Sequence, residues 1–283
     1  MNLRETLRQA EGQIASKDIP DARIEAELLL MHSLGIGKVE LYASPEREVS
    51  PSELEHFYQL LWRRLQHEPA AYILGESQFY GVDLHVNPHV LIPRPESELL
   101  VELTLEYANE HPSKAPISVA DVGTGSGAIA MAIALHIPQA EIYATDVSQA
   151  ALQIARSNCQ RYGLQSRVHL LRGDLLQPLQ WRMNVIVANL PYVESRNLPN
   201  LPPEIRHFEP LAALAGGSDG LHHIGRLLAQ AGQKLLPEGM LLVEIGQGQA
   251  AAATALARSH FPTGQIDLVP DLAGIDRVLR VRT

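Results

Sequence analysis

Between Ile117 and Gly246 the chain repeats one pattern: a short run rich in aliphatic and β-branched residues, then a stretch with helical spacing. The runs "ISVADV", "EIYATD", "VHLLRG", "MNVIVAN" and "MLLVEIG" are short enough for strands, and "VIVAN" reads as buried on both faces. The stretches "ESELLVELTLEYANE", "GAIAMAIALH", "SQAALQIARSNCQRYG" and "LHHIGRLLAQAGQKL" supply helices to cover them. With the closing pair "QIDLVP" and "DRVLRVRT", this predicts an α/β domain over residues 94–283, built on a mainly parallel seven-stranded sheet with helices on both faces. In such sheets ligands bind beyond the carboxyl ends of the strands.

The first third of the chain follows a different pattern. Leu3, Leu7, Ala10 and Ile14 recur at helical spacing, "DARIEAELLLMHSLG" runs from an Asp cap to a closing Gly35, and "SPSELEHFYQLLWRRLQ" opens on a Ser-Pro start. Residues 1–75 are therefore expected to form a small helical bundle. In "FYGVDLHVNPHVLIP", Val82, Leu84 and Val86 alternate and Asn87-Pro88 supplies a turn, which predicts a β-hairpin linker over residues 76–93.

Composition narrows the function. The 283 residues carry a formal net charge of −9, so the basic footprint of a nonspecific nucleic-acid binder is missing, and the arginines of "WRRLQHEP" read as a solvated helix face. The longest apolar runs are far shorter than a membrane span and no secretory leader is recognisable, which points to a cytosolic protein. The single cysteine, Cys159, can make neither an internal disulfide nor a multi-cysteine metal site and reads as a packed thiol. His222 and His223 lie on a helix without a carboxylate or cysteine partner at ligand spacing, so no metal is expected.

Three strand ends carry the chemistry. "DVGTGSGA" after the first strand places glycines at 123, 125 and 127, where the backbone can approach a ligand and turn into a helix with exposed amides. Gly123, Gly125 and Ala128 also satisfy a dinucleotide pattern. Asp146, closing the second strand, can accept from both hydroxyls of a ribose, which suits NAD and S-adenosylmethionine equally. Asp174, after the third strand, is placed to accept from an adenine amino group or to cap a turn.

The turn "NLPY" after the fourth strand separates these alternatives. Hydride transfer has no use for an Asn-x-Pro-Tyr turn. Methyl transfer to a planar nitrogen does, because the lone pair of an amide or exocyclic amine is delocalised and the nitrogen is a poor nucleophile. Two acceptors, the Asn189 side-chain oxygen and a backbone carbonyl, would hold its two hydrogens, while Pro191 fixes the turn and the Tyr192 ring packs on the flat substrate.

Together "DARIEAELLLMHSLG", "EPAAYILGESQFYG", "VLIPRPESE", "DVGTGSGAIAMA", "NLPYV", "FEPLAALAGGSDGL" and "GIDRVLRVR" resemble the peptide-chain release factor glutamine methyltransferases, the PrmC or HemK family, nearly end to end. The resemblance implies a Rossmann-like S-adenosylmethionine-dependent methyltransferase domain that methylates the side-chain amide of the glutamine in the Gly-Gly-Gln motif of release factors, yielding S-adenosylhomocysteine. It implies cofactor contacts at Gly123, Thr124, Gly125, Ser126, Gly127, Asp146, Asp174, Leu175 and Asn189, and glutamine contacts at Asn189, Leu190, Pro191 and Tyr192, with Asn189, Pro191 and Tyr192 in the catalytic turn. The family pattern reads Asn-Pro-Pro-Tyr, so Leu190 is a departure. Asn-Leu-Pro-Tyr also occurs in RNA adenine methyltransferases, the nearest alternative; a nicotinamide-dependent oxidoreductase is the alternative from another class. The helical residues 1–75 are expected to dock the release factor, the segment "LPNLPPEIRHFEPLAALAGGSDG" to grip the substrate, and the protein to act as a monomer without direct contact to nucleic acid.

Overall fold

A computed structural model describes residues 1–112 and 116–283. By internal contacts the chain divides into two compact units: Met1–Glu76 together with Pro202–Phe208, and Ser77–Leu201 together with Glu209–Thr283. In chain order the elements are α1 (Leu3–Ala15), α2 (Ala22–Leu34), α3 (Lys38–Ala43), α4 (Pro51–Leu65), α5 (Ala70–Leu74), β1 (Glu76–Phe79) and β2 (Val82–His85). They continue with α6 (Glu98–Glu110), β3 (Ser118–Val122), α7 (Ala128–His136), β4 (Glu141–Asp146), α8 (Gln149–Arg161), β5 (Val168–Arg172) and β6 (Met183–Ala188). The last are α9 (Pro203–Phe208), α10 (His222–Lys234), β7 (Leu235–Glu244), α11 (Ala250–His260), β8 (Gln265–Pro270) and β9 (Asp276–Arg282).

The helical unit follows its apolar spacing. Leu3, Leu7, Ala10 and Ile14 of α1 meet Leu29 and Leu30 of α2 and Phe57 and Leu61 of α4 in one buried cluster. Reciprocal caps start two of the helices: Asn2 Oδ1 accepts from Glu5 N at 3.0 Å while Glu5 Oε2 accepts from Asn2 N at 3.1 Å, and Ser50 and Glu53 repeat the arrangement on α4. Asp21 stands at the N-cap position of α2 but makes no side-chain capping bond, because its backbone is left-handed at φ 53°. Gly35 closes that helix at φ 63°, as its sequence suggests.

Arg64 on α4 is fully buried, so it is not the solvated residue its helix suggests; it pairs with Glu25 and, through Nη2, with Glu204 Oε1 at 2.6 Å. Glu204 lies on α9, the one segment of this unit that comes from the second half of the chain.

In the larger unit the hairpin closes at Tyr80 and Gly81, both at positive φ (48° and 73°), the geometry of a two-residue primed turn. A tyrosine at positive φ is uncommon, which hid the turn from the sequence; Asn87-Pro88 forms a separate turn, with Asn87 Oδ1 accepting from His89 N at 2.9 Å. Phe79, Val82 and Leu84 are buried with α6 and α7.

The sheet has seven strands in the order β5-β4-β3-β6-β7-β9-β8, parallel except for β9, which runs antiparallel to both of its neighbours. Val119 faces one apolar cluster with α6 and α7, while Ala120 and Val122 face another with α10 and α11, so both sheet faces are covered. Register aligns the strand ends: Val122 lies opposite Thr145 and Ala188, and Ala188 opposite Val243. Strand order reverses between β3 and β6, and this is where such sheets open a crevice.

The buried Arg64 yields a stability prediction. Arg64→Ala leaves two carboxylates unpaired beside a cavity and should destabilise the helical unit by about 3 kcal/mol. Glu204→Gln, which keeps the Glu25 pairing, should cost markedly less. Urea unfolding followed by circular dichroism measures both, and equal effects would contradict a shared buried cation.

Candidate functional site

A cleft opens at the carboxyl ends of β3, β4 and β6. Its walls include Gly123, Thr124, Gly125 and Ser126 after β3, Asp146 at the end of β4 with Ser148 just beyond, Asp174 and Leu175 after β5, and Asn189, Leu190 and Pro191 after β6. The structure thus gathers most of the residues that the motifs singled out. Gly127 and Tyr192 are not among the residues that line it.

The glycine turn is held by its neighbours. Gly123 N and Thr124 N both donate to Thr145 O at 2.9 Å, which lashes the turn to the next strand. Gly123 has φ 75°, and a Cβ there would sit 3.1 Å from Leu190 Cδ2 and 3.7 Å from Asn189 O, so the close approach of the two turns needs glycine. Asn158 of α8 adds a further tie: its Nδ2 donates to Ser126 O at 2.8 Å and to His85 O at 3.0 Å, while its Oδ1 accepts from His85 N at 2.7 Å.

Two carboxylates organise this end of the sheet. Asp146 accepts from Gly125 N through Oδ2 at 2.9 Å and from Ser148 N through Oδ1 at 2.8 Å; burial raises its pKa, and these backbone donors oppose the rise. Each oxygen keeps a lone pair for a further donor. Asp121, which the motifs did not single out, is fully buried; its Oδ2 accepts from Thr124 Oγ1 at 2.6 Å and from Ala130 N at 3.2 Å. Burial pushes its pKa up to about 6 against those two bonds, and the charge of Asp146 adds to the rise.

Asp174 is ion-paired with Arg226 of α10, so part of its accepting capacity is already used. His223 lines the cleft nearby, and burial lowers its pKa. No signal in the sequence placed α10 against this loop.

The turn after β6 is clamped on several sides. Asn189 Nδ2 donates to Ser97 Oγ at 2.8 Å, and Ser97 Oγ donates to Glu244 Oε2 at 2.5 Å. The Tyr192 hydroxyl lies near the same Glu244 carboxylate; burial raises the phenol pKa and the neighbouring negative charge raises it further, so it stays neutral. Gln249 Nε2 donates to Tyr192 O at 3.0 Å while Gln249 Oε1 accepts from Gly246 N at 2.8 Å. Val193 N donates to Leu214 O at 2.9 Å and Gly216 N to Val193 O at 2.8 Å, which brings the "GGSDG" stretch against the turn. A Cβ on Gly216 would lie 2.7 Å from Tyr192 Cα, so those glycines are required by contact. Sequence reasoning missed Ser97, Glu244 and Gln249, whose roles depend on pairing across elements far apart in the chain.

Among the described residues no group of three or more His, Cys, Asp or Glu side chains could hold a metal ion, and no helix is long and apolar enough to cross a membrane. Cys159 is buried, and burial raises its thiol pKa.

Residues 5–75 match the family described as "PrmC N-terminal domain" and residues 97–201 match "Methyltransferase small domain". The chain is 41% identical over 278 residues to the protein of Moorella thermoacetica named "Release factor glutamine methyltransferase", covering 98% of this chain and 97% of that one. It is 44% identical over 274 residues to the protein of that name from Gloeobacter violaceus, covering 96% and 93%. Among solved structures, the "Methyltransferase from Pyrococcus furiosus" superposes with a TM-score of 0.52 at 17% identity, over 71% of this chain and 89% of that one, which shows the shared methyltransferase fold.

The raised pKa of Asp121 has a sign that can be measured. Its folded value of about 6 lies above the ordinary carboxylate range, so its ionisation opposes folding, and stability falls as pH rises from about 4 to 6. Asp121→Asn retains the acceptor without the charge. The stability of wild type relative to this variant should therefore drop by about 2 kcal/mol between pH 4 and pH 7. A pH-independent difference in chemical denaturation would show that Asp121 does not carry the buried charge.

Proposed function

The chain belongs to the release factor glutamine methyltransferase family, and we propose that its cleft positions a release factor's Gly-Gly-Gln glutamine for methylation at the side-chain amide nitrogen by S-adenosylmethionine. The observation that carries this reading is the rigid Asn189–Tyr192 turn facing a glycine loop and Asp146 across the strand-order reversal. The residues fit such a cofactor: Gly123, Thr124, Gly125, Ser126 and Gly127 form a turn whose three glycines all take positive φ, Asp146 offers free lone pairs to ribose hydroxyls, and Asp174 with Leu175 borders the place for an adenine. When bound, S-adenosylmethionine supplies an electrophilic methyl group.

The chain's own residues do the rest. Asn189 Oδ1 and the Leu190 carbonyl accept the two amide hydrogens of the glutamine and aim the nitrogen lone pair. Pro191 keeps the carbonyl in place, and the Tyr192 ring packs against the flat substrate. The amide nitrogen is barely basic and gives up its proton only after the new bond has made it positively charged, so no strong general base is needed. Alignment then supplies most of the acceleration, to a ceiling of roughly 7 to 11 kcal/mol. The helical residues 1–75 dock the release factor, because a lone glutamine side chain offers too few contacts to select one protein. The enzyme acts as a cytoplasmic monomer on a protein substrate, without direct contact to nucleic acid.

Labelled S-adenosylmethionine added to a cell extract tests the reading: label should enter release factor, and label in RNA would overturn the substrate assignment. Asp146→Ala should weaken cofactor binding by about 1.5 to 3 kcal/mol, read by calorimetry; unchanged affinity would remove Asp146 from the site.

Leu190 gives a second test. Its backbone N–H has no hydrogen-bond partner among the described residues, so a proline there would break no such bond. Leu190→Pro should therefore keep activity within about tenfold, roughly 1.4 kcal/mol. An inactive but folded variant would mean that the Leu190 side chain, buried against Gly123, shapes the turn itself.

A further inference from the structure

We propose that Ser97 and Glu244 are positioning residues: they set the Asn189 side-chain amide with its oxygen toward the substrate. This inference rests on the functional reading above. Its physical basis is the sense of a hydrogen-bond chain.

A carboxylate only accepts, so the Ser97 hydroxyl hydrogen is committed to Glu244 Oε2 at 2.5 Å. The Ser97 oxygen then offers only lone pairs, and its partner at 2.8 Å must be the Nδ2 end of Asn189. That orientation leaves Asn189 Oδ1 without a protein partner among the described residues, at the wall of the cleft, as the acceptor that an amide substrate requires. An asparagine amide has no intrinsic preference between its two flipped states, and the flipped state would present two donors to a substrate that itself brings two donors. Glu244 decides between them from the far side of Ser97.

The Tyr192 hydroxyl lies near the same carboxylate, whose charge helps keep it protonated. Glu244 and Ser97 are both buried, at 1% and 3% exposure, so water offers little competition for these bonds. Register makes the arrangement possible: Ala188 and Val243 are paired on adjacent parallel strands, which puts Asn189 and Glu244 one step further along, side by side. Ser97 enters from the turn that starts α6.

The experiment uses the full-length enzyme with intact release factor and S-adenosylmethionine. Ser97→Ala should lower kcat at least tenfold, with KM for the release factor and the affinity for S-adenosylmethionine within threefold of wild type, and Ser97→Thr, which restores the hydroxyl, should recover most of the loss. Glu244→Gln should also lower kcat, and the double variant Ser97→Ala with Glu244→Gln should be no more than threefold worse than the poorer single, because both act through one chain. A Ser97→Ala enzyme with unchanged kcat, a loss confined to KM, or multiplicative losses in the double variant would overturn the proposal. One measurement needs no variant to fold: in wild type, one of the two Asn189 side-chain amide protons should show slowed solvent exchange by nuclear magnetic resonance, and two freely exchanging protons would overturn it as well. That readout is independent of methylation, so a wild-type enzyme that failed to label release factor would sink the functional reading while the amide measurement still judged the relay.

Discussion

Everything in the cleft depends on four parallel strands ending together. Because β4, β3, β6 and β7 pair in a register that places Thr145, Val122, Ala188 and Val243 side by side, the next residues of each chain segment emerge along one edge. Side chains alternate between faces with a period of two, so a slip of one residue in β7 would turn Glu244 away from Ser97 and bury its charge against the wrong helix layer. The continuous apolar runs that forbid such a slip are the same runs that bury both sheet faces. Fold stability and site geometry thus rest on one constraint.

At that edge the backbone is irregular, and irregular backbone must find partners for its polar groups without a ladder to supply them. The protein solves this with buried polar side chains that each bridge several elements. Asp121 binds Thr124 and Ala130, Asn158 binds Ser126 and both backbone groups of His85, and Gln249 binds Tyr192 and Gly246. Glycines at 216, 220 and 246 let the surrounding chain press against Tyr192 where a Cβ would collide. A turn held this way loses little entropy when a substrate arrives, which suits a reaction whose acceleration comes mainly from alignment.

The segment following the reactive turn has its own logic. Its ends are stitched near Tyr192 and Gly216, while α9 at its middle belongs by its contacts to the helical unit, where Glu204 helps neutralise the buried Arg64. Sequence alone reads this stretch as a long Pro- and Gly-rich loop. Its short helix is fixed by an ion pair with a residue far back in the chain, and no local pattern announces such a pair.

The alternation of strands and helices, the places where strands end and the residue types at those ends are all legible in the chain's apolar periodicity and turn residues. Strands β4 and β8 fall where periodicity placed them, because an apolar run of fixed length bounded by polar residues leaves a strand few choices. It did not disclose α11, whose alanine-rich stretch has no side-chain cap, nor that β7 starts at Leu235, ahead of a Pro-Glu-Gly stretch that reads as a turn. The order of the strands, the pairing of Asp174 with Arg226, the place of His223 at the cleft, and the line from Glu244 through Ser97 to Asn189 arise from packing between distant segments. The reason is physical: periodicity records how each segment is buried, whereas a hydrogen bond between residues far apart in sequence exists only once packing has brought its two ends within reach.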